Sequence, residues 1–78
     1  MVTPEQVQGY IENGLQCSEV RVVGDGEHFE ALIVSEAFRG KSRVQRHQLV
    51  YAALGERMRG EIHALSMRTL TPEEAANG

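Results

Sequence analysis

Apolar residues recur at helical spacing in two stretches of the chain and in strand-like runs in three others. Helical periodicity covers about 4–15 and 41–54, whereas runs rich in Val, Ile and Phe cover 19–24, 28–35 and 62–70. A periodicity near 3.6 residues indicates an amphipathic helix, because it places the apolar side chains on one face. The pattern therefore predicts the element order helix, strand, strand, helix, strand, and Thr-Pro-Glu-Glu at 71–74 predicts the start of a last helix.

The first two predicted helices have recognisable start signals. Thr3 followed by Pro4 is typical of an N-cap and a first helical residue, and Ser42 can cap the second helix. We expect the first helix to end near Leu15 or Gln16, after Asn-Gly. The apolar stripe predicted for the first helix is Val7, Tyr10, Ile11 and Leu15. The stripe predicted for the second helix and the turn after it is Val44, Tyr51, Leu54 and Met58.

The segment Gly-Asp-Gly-Glu at 24–27 predicts a β-hairpin. Asp-Gly favours a two-residue type I′ turn, which would place Val22 opposite Phe29. In that register Arg21 faces Glu30 and forms a cross-strand ion pair. A slip by one residue would exchange the two faces. The predicted core face consists of Val20, Val22, Phe29, Ala31 and Ile33.

The helix between the second and third strands predicts that these two strands run parallel, because such a crossover returns the chain in the same direction. His28 opens the second predicted strand, and His63 stands second in the third. Parallel strands begin at the same end of a sheet, so we expect both imidazoles at one edge. Neutral imidazole binds Fe, Zn or Cu, but a complete protein site usually needs three or four ligands. The alternative is a surface histidine beside a turn and a partly covered strand histidine, neither of which binds a metal.

Charge is unevenly distributed along the 78 residues, although the net charge is only −3. Positions 1–38 contain seven carboxylates and one arginine, whereas 39–60 contain six cations and one glutamate. Such a basic segment is either a solvated helix face or a surface for nucleic acid. For the second alternative the candidate residues are Arg39, Lys41, Arg43 and Arg46.

Composition limits the class of protein further. An apolar fraction of 41% suits a single small globular domain, and no apolar run is long enough to span a membrane. Because Cys17 is the only cysteine, no internal disulfide can form, and we expect a cytoplasmic protein. No signal peptide, phosphate-binding loop or catalytic spacing is visible. We therefore do not expect an enzyme.

The chain resembles the BolA family over about 4–76, and three segments carry the resemblance. The most specific are Phe-Arg-Gly-Lys-Ser-Arg at 38–43 with the downstream Tyr51, and His-Ala-Leu-Ser at 63–66. The third, Val-Val-Gly-Asp-Gly-Glu-His-Phe at 22–29, is short and resembles the smaller, YrbA-like branch. The resemblance implies one BolA-like domain over 1–78 with a class II KH-like α+β fold. In that fold helices pack on one face of a three-stranded mixed sheet, and this sequence lacks the Gly-x-x-Gly loop of true KH domains.

The resemblance also implies a function. Members of the family pair with a monothiol glutaredoxin of the Cys-Gly-Phe-Ser type, and the two share a [2Fe–2S] cluster with a glutathione thiol. The carried-over ligands are His63 in the last strand and His28 in the loop, which makes this chain the histidine type. Cys17 lies outside that loop, and His47 is expected on a helix face. The rival function is a transcriptional regulator that binds DNA weakly, and a homodimer is left open.

Overall fold

The computed structural model describes residues 2–25 and 27–78, and in these ranges it contains the predicted order of elements. The helices are α1 (Pro4–Gly14), α2 (Arg43–Leu54) and α3 (Pro72–Asn77). The strands are β1 (Glu19–Gly24), β2 (Phe29–Val34) and β3 (Leu65–Leu70). Short 3-10 turns cover Glu36–Phe38 and Ile62–Ala64. No helix in the described part of the chain is long and apolar enough to cross a membrane.

The three α-helices begin at the same kind of cap. In each, the hydroxyl oxygen of the N-cap residue accepts a hydrogen bond from the backbone N–H of the residue three positions later. The side chain of that later residue accepts a hydrogen bond from the backbone N–H of the N-cap residue. The predicted caps Thr3 and Ser42 are confirmed. α1 ends at Gly14, slightly earlier than expected, because Leu15 has an extended backbone. The three capping pairs are Thr3 with Gln6, Ser42 with Gln45, and Thr71 with Glu74.

The sheet has the strand order β1-β2-β3, with β1 antiparallel and β3 parallel to the central β2. The parallel pairing of β2 and β3 is therefore confirmed. One face of the sheet packs against α1 and α2 to form the hydrophobic core, and the predicted core-face residues are all buried. Burial of each large apolar side chain contributes about 1.5–3 kcal/mol. The largest fully buried apolar side chains are Phe29, Phe38, Ile11, Ile33, Leu54 and Met58.

The hairpin register differs from the prediction by two residues. Gly24 pairs with Phe29 and Val22 with Ala31, so residues 25–28 lie between the paired ends of the strands. The predicted type I′ turn is wrong, since no described residue other than glycine has a positive φ and Asp25 would need one. Gly26, the other residue of that turn, lies outside the described residues. Because the slip is even, the core face is unchanged.

The predicted ion pair between Arg21 and Glu30 is also wrong. The observed register places Arg21 opposite Leu32 and places Val23 opposite Glu30. The guanidinium of Arg21 instead contacts the carboxylate of Glu19 on its own strand, at 2.8 Å.

The buried face of α2 is not the predicted stripe. Val44 and Tyr51 are 65% and 41% exposed, and the helix buries Val50, Ala53 and Leu54 instead. Heptad spacing selected positions 44 and 51, but the side of α2 that carries Val50 and the largely buried Arg46 faces the core and β3. Of the predicted stripe only Leu54 and Met58 are buried.

Candidate functional site

His28 follows a loop that one carboxylate organises. A carboxylate oxygen of Asp25 accepts hydrogen bonds from the backbone N–H groups of Glu27 and His28, each at 3.0 Å. These N–H groups lower the pKa of Asp25, and the N–H of His28 has the largest effect. The Asp25 N–H in turn donates to the carbonyl oxygen of His28 at 3.3 Å. His28 is therefore fixed through its backbone, while its side chain remains exposed.

Gly24 allows the loop to close tightly at the end of β1. A Cβ at this position would lie 2.5 Å from the carbonyl oxygen of His28 and 2.8 Å from Cδ1 of Phe29. Only glycine fits without a shift of the backbone that carries His28. Gly24 and Asp25 are thus positioning residues for His28. From the sequence both were predicted only as turn residues, although a glycine followed by an aspartate close to a candidate ligand could have indicated this role.

His63 lies just before β3 and not within it. The predicted strand over 62–70 begins only at Leu65, because Ile62–Ala64 forms a 3-10 turn that the Leu65 N–H closes by donating to the Ile62 carbonyl. Ile62 is half-buried and Leu65 is buried, so both ends of the turn are held against the core. The imidazole of His63 is exposed between them.

The parallel pairing of β2 and β3 brings the two histidines to the same end of the sheet. Phe29 pairs with Leu65, so His28 immediately precedes a paired residue and His63 lies two residues before its partner. In the described part of the chain no hydrogen bond or ion pair engages either imidazole. The described residues also contain no group of three or more His, Cys, Asp or Glu side chains that could hold a metal ion. The two histidines can therefore supply only part of a ligand set.

Cys17 lies at the other end of the sheet. It precedes β1, beside residues that follow the carboxyl ends of β2 and β3, in a cavity of about 450 Å³ that Glu36, Ala37 and Pro72 also line. Its Sγ–H donates to the Leu15 carbonyl oxygen at 3.3 Å. Partial burial, and secondly the charge of Glu12, raises the pKa of this thiol. Cys17 is thus separated from both histidines.

The four candidate cations for nucleic acid fall into two groups. Arg39 pairs with Glu36 at 2.7 Å and approaches Glu73 at 3.6 Å. Lys41 and Arg43 are exposed, and neither forms an ion pair within residues 2–25 and 27–78.

Arg46 belongs with Arg39, because its side chain is only 13% exposed and all three guanidinium nitrogens donate hydrogen bonds. It contacts Glu74 at 2.7 Å and donates to the carbonyl oxygens of Lys41 and Thr69. The guanidinium also lies over the ring of Phe38, 5.9 Å from its centroid. Arg46 therefore clamps α2 to β3 and α3.

The family described as BolA-like protein matches residues 10–74 of this sequence. The chain belongs to the BolA-like family. A BolA homologue from Coxiella burnetii has the same fold, with a TM-score of 0.81 and 48% identity over 97% of this chain and 99% of the other. Helices on a three-stranded mixed sheet are thus the architecture that this BolA-like chain shares with a solved relative.

Two curated relatives of this BolA-like chain carry names that describe a role. The acid stress protein IbaG of Escherichia coli K12 is 43% identical over 72 residues, which cover 91% of this chain and 86% of the relative. The DNA-binding transcriptional regulator BolA of Haemophilus influenzae is 45% identical over 51 residues, which cover 65% of this chain and 50% of the relative. These names describe a stress protein and a regulator rather than enzymes.

A groove between α2 and β3 is a second feature of this BolA-like chain. Its volume is about 290 Å³, and the residues that line it are Arg43, Arg46, His47, Met67, Arg68 and Thr69. His47 thus lies in this groove and not beside the other two histidines. Arg68 was not among the predicted site residues, although the alternation of side chains along β3 places it on the exposed face with Ser66 and could have indicated it.

Proposed function

We propose that this BolA-like chain is a non-enzymatic partner of a monothiol glutaredoxin of the Cys-Gly-Phe-Ser type. The two proteins share a [2Fe–2S] cluster as cargo for iron–sulfur trafficking or for sensing iron and redox state. His28 and His63 would bind iron from this chain, while a glutaredoxin cysteine and a glutathione thiol supply sulfur. A cytoplasmic location is part of this proposal.

The observation that carries the proposal is the common position of two exposed histidines at the end of a parallel strand pair. The helical crossover separates them by 35 positions in sequence, and the pairing of Phe29 with Leu65 brings them back to one end. An incomplete but exposed donor set suits a site that a second protein completes. The residues present therefore fit half of a shared centre and do not fit a metal site closed by this chain alone.

The chemistry of imidazole also fits cargo that must be released. Histidine ligands on one iron, in place of thiolates, raise the reduction potential of a [2Fe–2S] cluster. A histidine must be neutral to bind a metal, so acidification weakens its hold. A centre held by His28 and His63 is thus suited to transfer and to sensing rather than to permanent storage.

Substitution of each histidine tests the proposal. The chain is co-purified anaerobically with its glutaredoxin and glutathione, and the cluster is followed by visible absorption and circular dichroism. We expect His63→Ala to abolish the mixed-cluster spectrum and His28→Ala to weaken it less, since His28 follows an exposed loop that water can enter. We expect His28→Cys to keep a cluster with a shifted spectrum, because thiolate is a softer and charged ligand.

His47→Ala is the matched control, because it removes an imidazole from the α2–β3 groove and leaves the histidine end unchanged. Far-UV circular dichroism of each variant shows that the fold is retained. A His63→Ala complex that keeps the wild-type cluster spectrum would contradict the proposal.

The second candidate function is regulation through DNA. It is supported by the name of the Haemophilus influenzae relative and by the unpaired cations Lys41 and Arg43. Because Arg39 and Arg46 are bound to carboxylates, few of the predicted cations remain for phosphates. We expect weak binding that salt abolishes, and Lys41→Gln with Arg43→Gln should lower the salt dependence of affinity. Sequence-specific binding that persists at several hundred millimolar salt would favour this function over the first.

A further inference from the structure

The free edge of β3 exposes backbone hydrogen-bonding groups inside the α2–β3 groove. The Ser35 N–H donates to the carbonyl oxygen of Leu70 at 2.9 Å, so the peptide groups of Leu70 face β2. Successive residues of a strand direct their N–H and C=O groups to opposite edges, which turns those of Met67 and Thr69 outward. The Thr69 carbonyl accepts from Arg46 at 3.1 Å, in agreement with this direction. In the described part of the chain, both groups of Met67 and the N–H of Thr69 have no partner.

The opposite edge of the sheet is covered at the corresponding place. On β1 the outward N–H of Val22 donates to the side-chain oxygen of Gln8 on α1, at 3.3 Å. An uncovered edge strand is a template on which another strand can pair, and proteins commonly protect such edges. The centre of β3 is therefore the open place on this sheet for an added strand.

The groove around this edge carries positive charge that this chain does not neutralise. Arg43 and Arg68 are exposed, and no carboxylate of the described residues pairs with either. Arg46, between them, is already neutralised by Glu74. Two copies of the groove would repel each other through these arginines, so its charge favours an acidic occupant over an identical edge of a second copy.

Exposed apolar side chains of α2 neighbour the groove residues along the helix. Tyr51 lies one helical turn beyond His47 and is 41% exposed, and Val44 beside Arg43 is 65% exposed. A strand added next to β3 would direct alternate side chains toward α2 and toward the outer face that carries Arg68. The surroundings thus suit a segment in which apolar residues, facing Met67 and Tyr51, alternate with acidic residues.

We propose that the α2–β3 groove binds an extended acidic segment of a partner protein, which pairs with β3 as a fourth strand. The backbone groups of Met67 provide the pairing, Arg68 binds the carboxylates on the outer face, and Arg43 attracts them from the beginning of α2. The binding needs no metal and none of the histidines at the end of the sheet. It is therefore independent of the cluster function proposed above.

The probe is a short acetylated peptide of alternating glutamate and valine, titrated into the ¹⁵N-labelled chain. We expect the amide signals of Met67 and Thr69 to shift and their hydrogen exchange to slow, because both N–H groups gain an acceptor or become enclosed. A peptide methylated on the amide nitrogens that would face β3 should lose this binding. If the methylated peptide binds equally well, or if the Met67 and Thr69 signals do not move at millimolar peptide, strand addition is wrong.

Charge reversal tests the two arginines. R43E combined with R68E should weaken peptide binding by about tenfold or more. The double variant loses the charge-assisted contact of Arg68 with the peptide carboxylates and reverses the charge of the groove. R57E combined with R59E is the matched control, because it changes the net charge equally in the turn after α2, where Arg59 pairs with Glu56. Circular dichroism melts check that both double variants fold. Equal weakening in the two would show a general charge effect and overturn the proposed site.

Two competing occupants are distinguished in the same experiment. Oligothymidylate that displaces the peptide and binds more tightly would assign the groove to nucleic acid instead. Sedimentation of the unliganded chain tests for a second copy at the groove. A dimer that R43E with R68E dissociates, and that excludes the peptide, would also overturn the proposal.

Discussion

The same substitution at two glycines of α1 should have opposite effects on stability. Gly9 lies within α1, and no heavy atom would lie within 4 Å of an added Cβ. Gly9→Ala should stabilise the protein by about 0.5–1 kcal/mol, because alanine loses less backbone freedom in a helix. For a domain of this size, about 1 kcal/mol corresponds to a shift of roughly 4–8 °C in Tm. We therefore expect the Tm of Gly9→Ala to rise by a few degrees.

Gly14 lies where the end of α1 packs closely against α2. A Cβ here would lie 2.7 Å from the carbonyl oxygen of Ala53 and 2.8 Å from its Cα, so the obstruction is backbone and not a flexible side chain. Forcing atoms into a packed contact costs about 1–3 kcal/mol, which exceeds the gain in helix propensity. The Tm of Gly14→Ala should fall, by about 8–20 °C when the cost is near its upper value of about 3 kcal/mol. Thermal melts followed at 222 nm measure both variants, and a Gly14→Ala protein as stable as Gly9→Ala would refute a rigid contact between the helices.

Three further predictions concern charge, the loop and metal. The pKa of Glu74 is lowered to about 2, mainly by the hydrogen bond from Arg46. The stability that this carboxylate contributes is therefore present above its ordinary pKa near 4.5 and is lost as the pH falls toward 2. The Tm difference between wild type and Glu74→Gln should accordingly shrink from pH 6 to pH 3, and a constant difference would show that the ion pair is not linked to folding. Asp25→Ala should speed amide hydrogen exchange at His28 several-fold with little change in Tm, because it removes the acceptor of that N–H; unchanged exchange would mean that the carboxylate does not hold the loop. Treatment with a chelator should leave the far-UV circular dichroism unchanged, since the core is complete without a ligand, and loss of the signal would contradict that view.

The sequence was sufficient to predict the sheet because strand faces depend on a period of two. The hairpin register was wrong by two residues, yet Phe29 and Ala31 remain in the core, as predicted. The loop itself was not predictable from turn propensities. The carboxylate of Asp25 binds the N–H groups that follow it, so this residue does not adopt the left-handed backbone that the expected turn requires.

The location of the two histidines at one end of the sheet could also be predicted, although their exact positions could not. The crossover rule needs only the order of elements, and it is insensitive to where each strand begins. His28 and His63 both lie outside the strands that were predicted to contain them, yet they precede residues that pair with each other. Whether a residue before a strand forms a 3-10 turn depends on how Ile62 and Leu65 dock against the core, which periodicity does not encode.

The face of α2 was mispredicted because a charged residue occupies an inward position. Arg46 was predicted to lie on a basic surface, whereas only 13% of its side chain is exposed: its guanidinium lies over the ring of Phe38 and donates to acceptors on β3 and α3. Periodicity of apolar residues cannot detect an arginine whose partners lie 23 and 28 positions away in sequence.

Folding pairs some of the cations of the basic segment with carboxylates. The cations that remain unpaired are more informative about binding than the net charge of the chain. Arg39 and Arg46, from the basic segment, are paired with carboxylates that precede and follow it. Arg43 stays unpaired, and the fold adds Arg68 from a segment that is acidic overall. These two charges flank the open backbone of Met67, which α2 leaves uncovered. Both histidines lie at the end of the sheet where β2 and β3 begin, whereas the charged edge runs along β3, so the chain offers a partner two features that can be disabled separately. His63→Ala should leave peptide binding intact, and reversal of Arg43 and Arg68 should leave the imidazoles free to bind iron.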